Sequence, residues 1–127
     1  PGPSITTEAV AQAIRAADDA EDLAKRSRQA IVAADAALKA NNKDEAKRQL
    51  EKAERLHARS IDAWIAAATA ATAADKQLED AKMIGTTSAE LENLRSASAD
   101  ADRQVARAKS AVNQTQGPLD ALRSAVK

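Results

Sequence analysis

The sequence contains no cysteine, phenylalanine or tyrosine, and Trp64 is its one aromatic residue. Without cysteine, the chain can form no disulfide and offers no thiol for catalysis or metal binding. Only three glycines and three prolines are present, which leaves few positions for turns. These shortages predict long helices joined by few connections.

The sequence also lacks an excess of either charge and any long hydrophobic run. The chain has 19 basic and 19 acidic residues, and both signs are spread along its whole length. Nucleic acids and anionic membranes attract surfaces with a field of one sign, so we expect neither as the main partner. No apolar run reaches the roughly 18 residues that a membrane span requires.

Alanine is what the sequence has in abundance, with 34 of the 127 residues. It is the strongest helix former, and here it recurs with larger apolar residues at heptad spacing. The clearest seams are Val10, Ala17, Ala24, Ile31 and Leu38; Ala46, Ala53, Ser60, Ala67, Ala74 and Ala81; and Leu94, Ala101, Ala108, Thr115 and Leu122. The pattern predicts an all-α fold, an elongated antiparallel three-helix bundle with coiled-coil-like packing and an Ala-rich core.

Two short breaks divide the chain into helices of matched length. Each break combines a residue that ends one helix with a residue that caps the next; the breaks are Asn41-Asn42 and Gly85-Thr86-Thr87-Ser88. Two capping boxes are predicted, completed by Glu45 and Glu90. We expect helices at about 5–40, 43–84 and 88–126, in one domain over 5–127. Residues 1–4 are expected to form a disordered tail or a cloning remnant. The chain itself is expected to be a mature form or a piece of a longer protein.

Gly117-Pro118 interrupts the third predicted helix. The heptad seam stays in phase across this dipeptide, which favours a kinked but continuing helix, because a loop would normally lose the register. A separate short helix starting at Pro118 is the alternative.

Residues 65–74, IAAATAATAA, carry no charge and almost no side chain. A helix that is small and apolar on all sides is usually buried or in contact, so packing inside the bundle is the preferred interpretation. Three slim helices could also leave one side of this stretch open to another chain. The possible interface residues are Trp64, Ala66, Ala67, Ala70, Ala71 and Ala74.

Few residues suggest chemistry. His57 is the only histidine, and it lacks the nucleophile or the additional ligands that catalysis or a metal site would need, so we interpret it as a semi-buried polar residue. The acidic run from Asp18 to Asp22 lacks the glycine of a calcium loop and is interpreted as a solvated helix face. We predict no catalytic residue, no metal site and no cofactor, and therefore no enzyme.

The segment AALKANNKDEAKRQLEKAERL, residues 36–56, resembles the turn between the two helices of a tetratricopeptide repeat. Small residues lie at Ala46 and Ala53, as that motif requires, but no proline follows near residue 60 and both helices are too long. The peptide-binding role of those repeats is therefore not transferred to this chain. In style the whole chain resembles spectrin-type and surface-protein bundles, and Ala-rich domains of bacterial envelope proteins.

The sequence therefore predicts a non-catalytic structural or protein-interaction module, within a larger surface or envelope protein or assembly. A protein partner or self-association is expected. An amphipathic lipid-associated protein and a carrier of a small ligand near His57 and Trp64 are alternatives, although a small-molecule ligand is not expected.

Overall fold

The computed structural model describes residues 5–127, with side chains from Glu8 onwards. Its three helices are α1 (Ile5–Lys39), α2 (Lys43–Met83) and α3 (Ser88–Val126). The all-α three-helix prediction is confirmed, and each helix ends within one residue of the expected position. The predicted tail at residues 1–4 lies outside the described residues.

Both connections use a residue with a positive φ angle. Asn41 has φ of 59° and Gly85 has φ of 73°, a conformation that asparagine and glycine tolerate best. At the first turn the Asn42 N–H donates to the Ala37 carbonyl at 2.8 Å, and the Asn41 N–H donates to the Leu38 carbonyl at 3.0 Å. This Schellman arrangement satisfies carbonyls that the end of α1 would otherwise leave free.

The N-terminal caps of α2 and α3 form as expected, but both predicted capping boxes are only half made, because neither Glu45 nor Glu90 accepts a hydrogen bond from the N–H of its cap residue in the described chain. Side-chain oxygens of Asn42 and Thr87 accept from the N–H groups of Glu45 and Glu90, at 3.2 and 3.3 Å. The Glu45 carboxylate does not reach back to the cap and instead accepts from Arg48 and Gln49. Its pKa is lowered by the hydrogen bond from Gln49 and then by Arg48.

The helices run up, down and up. Asp75 of α2 accepts a hydrogen bond from Ser98 of α3, and at the far end of the same pair Glu54 meets Arg123. α2 is therefore antiparallel to α3, and the bond from Ser27 Oγ to the Ala53 carbonyl at 2.7 Å belongs to a similar antiparallel pair with α1. The result is that α1 and α3 point the same way.

Alanine dominates the core, where it supplies 19 of the 26 buried hydrophobic residues found in the described chain. The larger ones gather at one end of the bundle, where Ile31, Leu119, Leu122 and Val126 share a cluster. The other end is closed mainly by small side chains, such as Ala13 and Ala74. Apolar burial, and with it stabilisation per residue, is therefore greatest near the α1–α2 turn.

α3 continues through Pro118 as one helix, so the continuing alternative is confirmed and the split helix is wrong. Gly117 helps, because it lacks the Cβ that would clash with the proline ring in a helical conformation. Gln114, Gly117 and Pro118 are all exposed, so the carbonyl that loses its helical donor belongs to a residue in contact with water. Leu119 then returns to the core with 0% exposure.

Candidate protein-interaction surface

The residues predicted as a possible interface fall on two sides of α2. Four alanines of the set face α1 and α3, with exposures of 0–4%: Ala67, Ala70, Ala71 and Ala74. Trp64 is half-buried and packs against a cluster that includes Ala17, Ala67 and Ala108. Only Ala66 is exposed. Because the buried alanines are covered by the chain's own helices, only the opposite side of α2 is open to a partner.

That opposite side is uncharged for more than two turns. We call it the α2 outer face, and define it as the exposed residues Ile65, Ala66, Thr69, Thr72 and Ala73. Ile65 keeps 56% of its surface exposed. The spacing of three and four residues places all five side chains on one side of the helix.

The two threonines of the α2 outer face satisfy their own hydroxyl groups. Thr69 Oγ1 donates to the Ile65 carbonyl at 3.0 Å, and Thr72 Oγ1 donates to the Ala68 carbonyl at 2.9 Å. Each hydroxyl is thus turned back to the helix backbone. A partner that covers this face therefore desolvates few polar groups that lack a hydrogen bond.

Charged residues flank the α2 outer face at both ends. Arg59 and Asp62 lie on its N-terminal side, and Lys76 and Asp80 on its C-terminal side, all exposed. None of the four forms an ion pair with any residue that the structure describes.

Elsewhere on the surface some of the charges are paired within their own helix. Such pairs, three residues apart, are Glu45 with Arg48, Glu79 with Lys82, Glu92 with Arg95, Asp100 with Arg103, and Asp120 with Arg123. The ends of the α2 outer face therefore offer charges of both signs that remain free for a partner.

A groove between α2 and α3 lies beside this face. It holds about 420 Å³ and is lined by small residues, with Asp75 and Asp102 at one end and Lys109 further along α3. Partial desolvation of the exposed Asp102 carboxyl, and next the negative charge of Asp75, raise the pKa of Asp102. Asp75 also accepts a hydrogen bond from Ser98.

His57 is 5% exposed, and its Nε2 lies 2.9 Å from Gln116 Oε1. Gln116 in turn donates to Asp120 at 2.9 Å, so a chain of polar contacts joins α2 to α3. The Nδ1 atom of His57 is buried without a partner in the described chain. Ser27 and Thr115 add polar groups to the core at 0% exposure. Among residues 8–127 no three histidine, cysteine or carboxylate side chains are grouped as metal ligands would be.

The acidic run of α1 is not simply a solvated face. Asp18 and Glu21 both form ion pairs with Arg107 of α3. The Arg107 Nε lies 2.8 Å from Glu21 Oε1, but the angle at the N–H is unsuitable for a hydrogen bond. Asp22 pairs within its own helix, with Arg26 one turn later. Arg28 reaches Thr115 at 3.1 Å. Pairing across helices depends on how far one helix is shifted along the next, which the sequence alone does not give.

Over the described residues, no helix is both long and hydrophobic enough to cross a bilayer. Comparisons of the chain with protein-family models, with curated proteins and with solved structures find no match. Function must therefore be inferred from the side chains of the bundle themselves.

Proposed function

We propose that this chain is a non-catalytic helical module that binds protein through the α2 outer face. One observation carries the proposal. An exposed, uncharged helix face is flanked at both ends by charges of both signs that no residue of the described chain pairs. Exposed apolar area rimmed by polar groups is a common feature of protein-binding surfaces.

The composition of the face suits binding. Alanine has no side-chain rotamers to immobilise, so ordering Ala66 and Ala73 at an interface costs little conformational entropy. Small side chains also let another helix approach closely, which increases dispersion between the two backbones. Ile65 is the one large apolar side chain of the face and would be its anchor.

A pair of alanine substitutions tests this function. Ala66→Glu places a charge in the α2 outer face, whereas Ala99→Glu places the same charge at an exposed site of α3. Proteins captured by the immobilised wild-type chain would be identified, purified and titrated against each variant. We expect the Ala66→Glu variant to bind at least tenfold more weakly, because the new carboxylate must be desolvated. The Ala99→Glu variant should match the wild type.

The proposal fails if every purified partner binds all three chains equally. It also fails if the wild-type chain binds neither another protein nor itself. Far-ultraviolet circular dichroism of both variants would verify that each substitution leaves the helices intact.

A further inference from the structure

We propose that the partner of the α2 outer face is a second copy of this chain, with the two α2 helices packed antiparallel about a two-fold axis at Thr69. The inference rests on the proposed function and names the partner of the same surface. Its basis is the order of charges along α2. Arg59 and Asp62 precede the face, and Lys76 and Asp80 follow it.

An antiparallel arrangement brings opposite charges together at both ends. With Thr69 on the axis, a residue seven positions before it lies level with the residue seven positions after it in the other copy. Asp62 of each chain therefore lies level with Lys76 of the second copy. Arg59 likewise lies within reach of Asp80 of the second copy, and symmetry makes each pair occur twice.

A parallel arrangement would instead bring like charges together. It would place Asp62 beside Asp62 and Lys76 beside Lys76, and like charges held close together are destabilising. The four charges are unpaired within the described chain, so no internal ion pair has to break before they pair across the axis.

The same register also matches side-chain size. Ile65 shares a layer with Ala73 of the second copy, so a large side chain meets a small one. Ala66 shares a layer with Thr72 of the second copy, and Thr69 meets its own symmetry mate. Alternating large and small residues is what close helix packing requires. Because both copies use the same patch, the assembly closes as a dimer and leaves no free copy of the face.

Charge reversal tests the proposed register. Sedimentation equilibrium at low salt, over a wide concentration range, would compare the wild-type chain with the Asp62→Lys and Lys76→Asp variants. We expect a wild-type dimer and about tenfold or greater weakening in each variant alone, because two attractive contacts become repulsive. An equimolar mixture of the two variants should dimerise again, since opposite charges then meet at both ends.

Cysteine crosslinking locates the axis independently, because the chain has no cysteine of its own. A Thr69→Cys variant should form a disulfide-linked dimer on mild oxidation, since symmetry places the two sulfurs together. A Val32→Cys variant serves as the control, because Val32 is 68% exposed but lies on α1. It should crosslink far more slowly at the same concentration.

A wild-type chain that stays monomeric up to about 1 mM, well into the weak range of affinity, would overturn the second-copy inference. The proposed function would still stand if Ala66→Glu abolished binding of a different protein. A dimer that neither variant weakens, or that crosslinks through Val32→Cys as fast as through Thr69→Cys, would also overturn it, because the contact would then lie elsewhere.

Discussion

Ala66 and Ala67 are neighbours in sequence, yet a leucine at each should have opposite consequences. Ala67 has 0% exposure and packs in a cluster with Ala16, Ala17 and Ala108, whereas Ala66 points to solvent. Ala67→Leu inserts three carbon atoms where both facing helices present alanines. Trp64 and Val105 also pack against this cluster, but the buried residues that face Ala67 are alanines with no side chain to rearrange, so the helices must separate.

Overpacking of this kind typically destabilises a protein by about 1–3 kcal/mol. We expect the upper part of that range for Ala67→Leu, since the displaced contacts lie on two helices. For a domain of this size each kcal/mol corresponds to roughly 3–5 °C in Tm. Ala66→Leu changes helix propensity by the same amount as Ala67→Leu, but the new side chain points to solvent and meets no neighbour. The free energy of unfolding of this variant should therefore differ from that of the wild type by less than about 0.5 kcal/mol.

Urea unfolding followed by circular dichroism measures both effects, and Trp64 fluorescence reports the same cluster independently. Dilute protein avoids any contribution from association through Ala66. Equal stabilities of the two leucine variants would refute the assignment of Ala67 to the interior. A more stable Ala67→Leu variant would refute the close approach of the helices.

Three further substitutions probe other parts of the bundle. Pro118→Ala should raise the free energy of unfolding by about 2 kcal/mol in urea titrations, because it restores a helical N–H donor. No change would mean that the helix is interrupted at this position. Ser27→Ala should cost about 1 kcal/mol more than Ser96→Ala, an exposed control with the same gain in helix propensity, since only Ser27 loses a buried hydrogen bond. Compared with the control Asp19→Asn, Asp102→Asn should stabilise the protein at pH 7. The gain in the free energy of unfolding should be less than about 1 kcal/mol, because the carboxyl is largely solvated. Because the pKa of Asp102 is raised in the folded state, the stability of the wild-type protein falls as pH rises through that pKa. The gain from Asp102→Asn should therefore disappear in thermal melts at lower pH. A gain that persists in acid would contradict the charge explanation.

Local patterns predicted the helices and much of the core. Asn41 and Gly85 mark helix ends because few other residues adopt a positive φ angle, and the structure places both there. Every member of the seam from Ala46 to Ala81 is buried, because a seven-residue repeat keeps returning to the same side of a helix. These features depend on residues close in sequence, so one sequence was sufficient.

The candidate surface was predicted less well. Within residues 65–74 no charged side chain marks the outer side of the helix, so buried alanines and exposed Ala66 were grouped as one interface. The seam through Ala67 and Ala74 already contained the signal that separates them. The contact between His57 and Gln116 could not be predicted, because it depends on the relative shift of α2 and α3 along the bundle.

The odd number of helices has a mechanical consequence. Because α1 and α3 point the same way, Ile5 and Val126 lie at opposite ends of the bundle, roughly 55–60 Å apart by the rise per residue of a helix. A pull between these two points acts along the helix axes and loads the contacts in shear. Contacts along the whole rod then resist together, whereas a hairpin pulled from one end would peel open turn by turn.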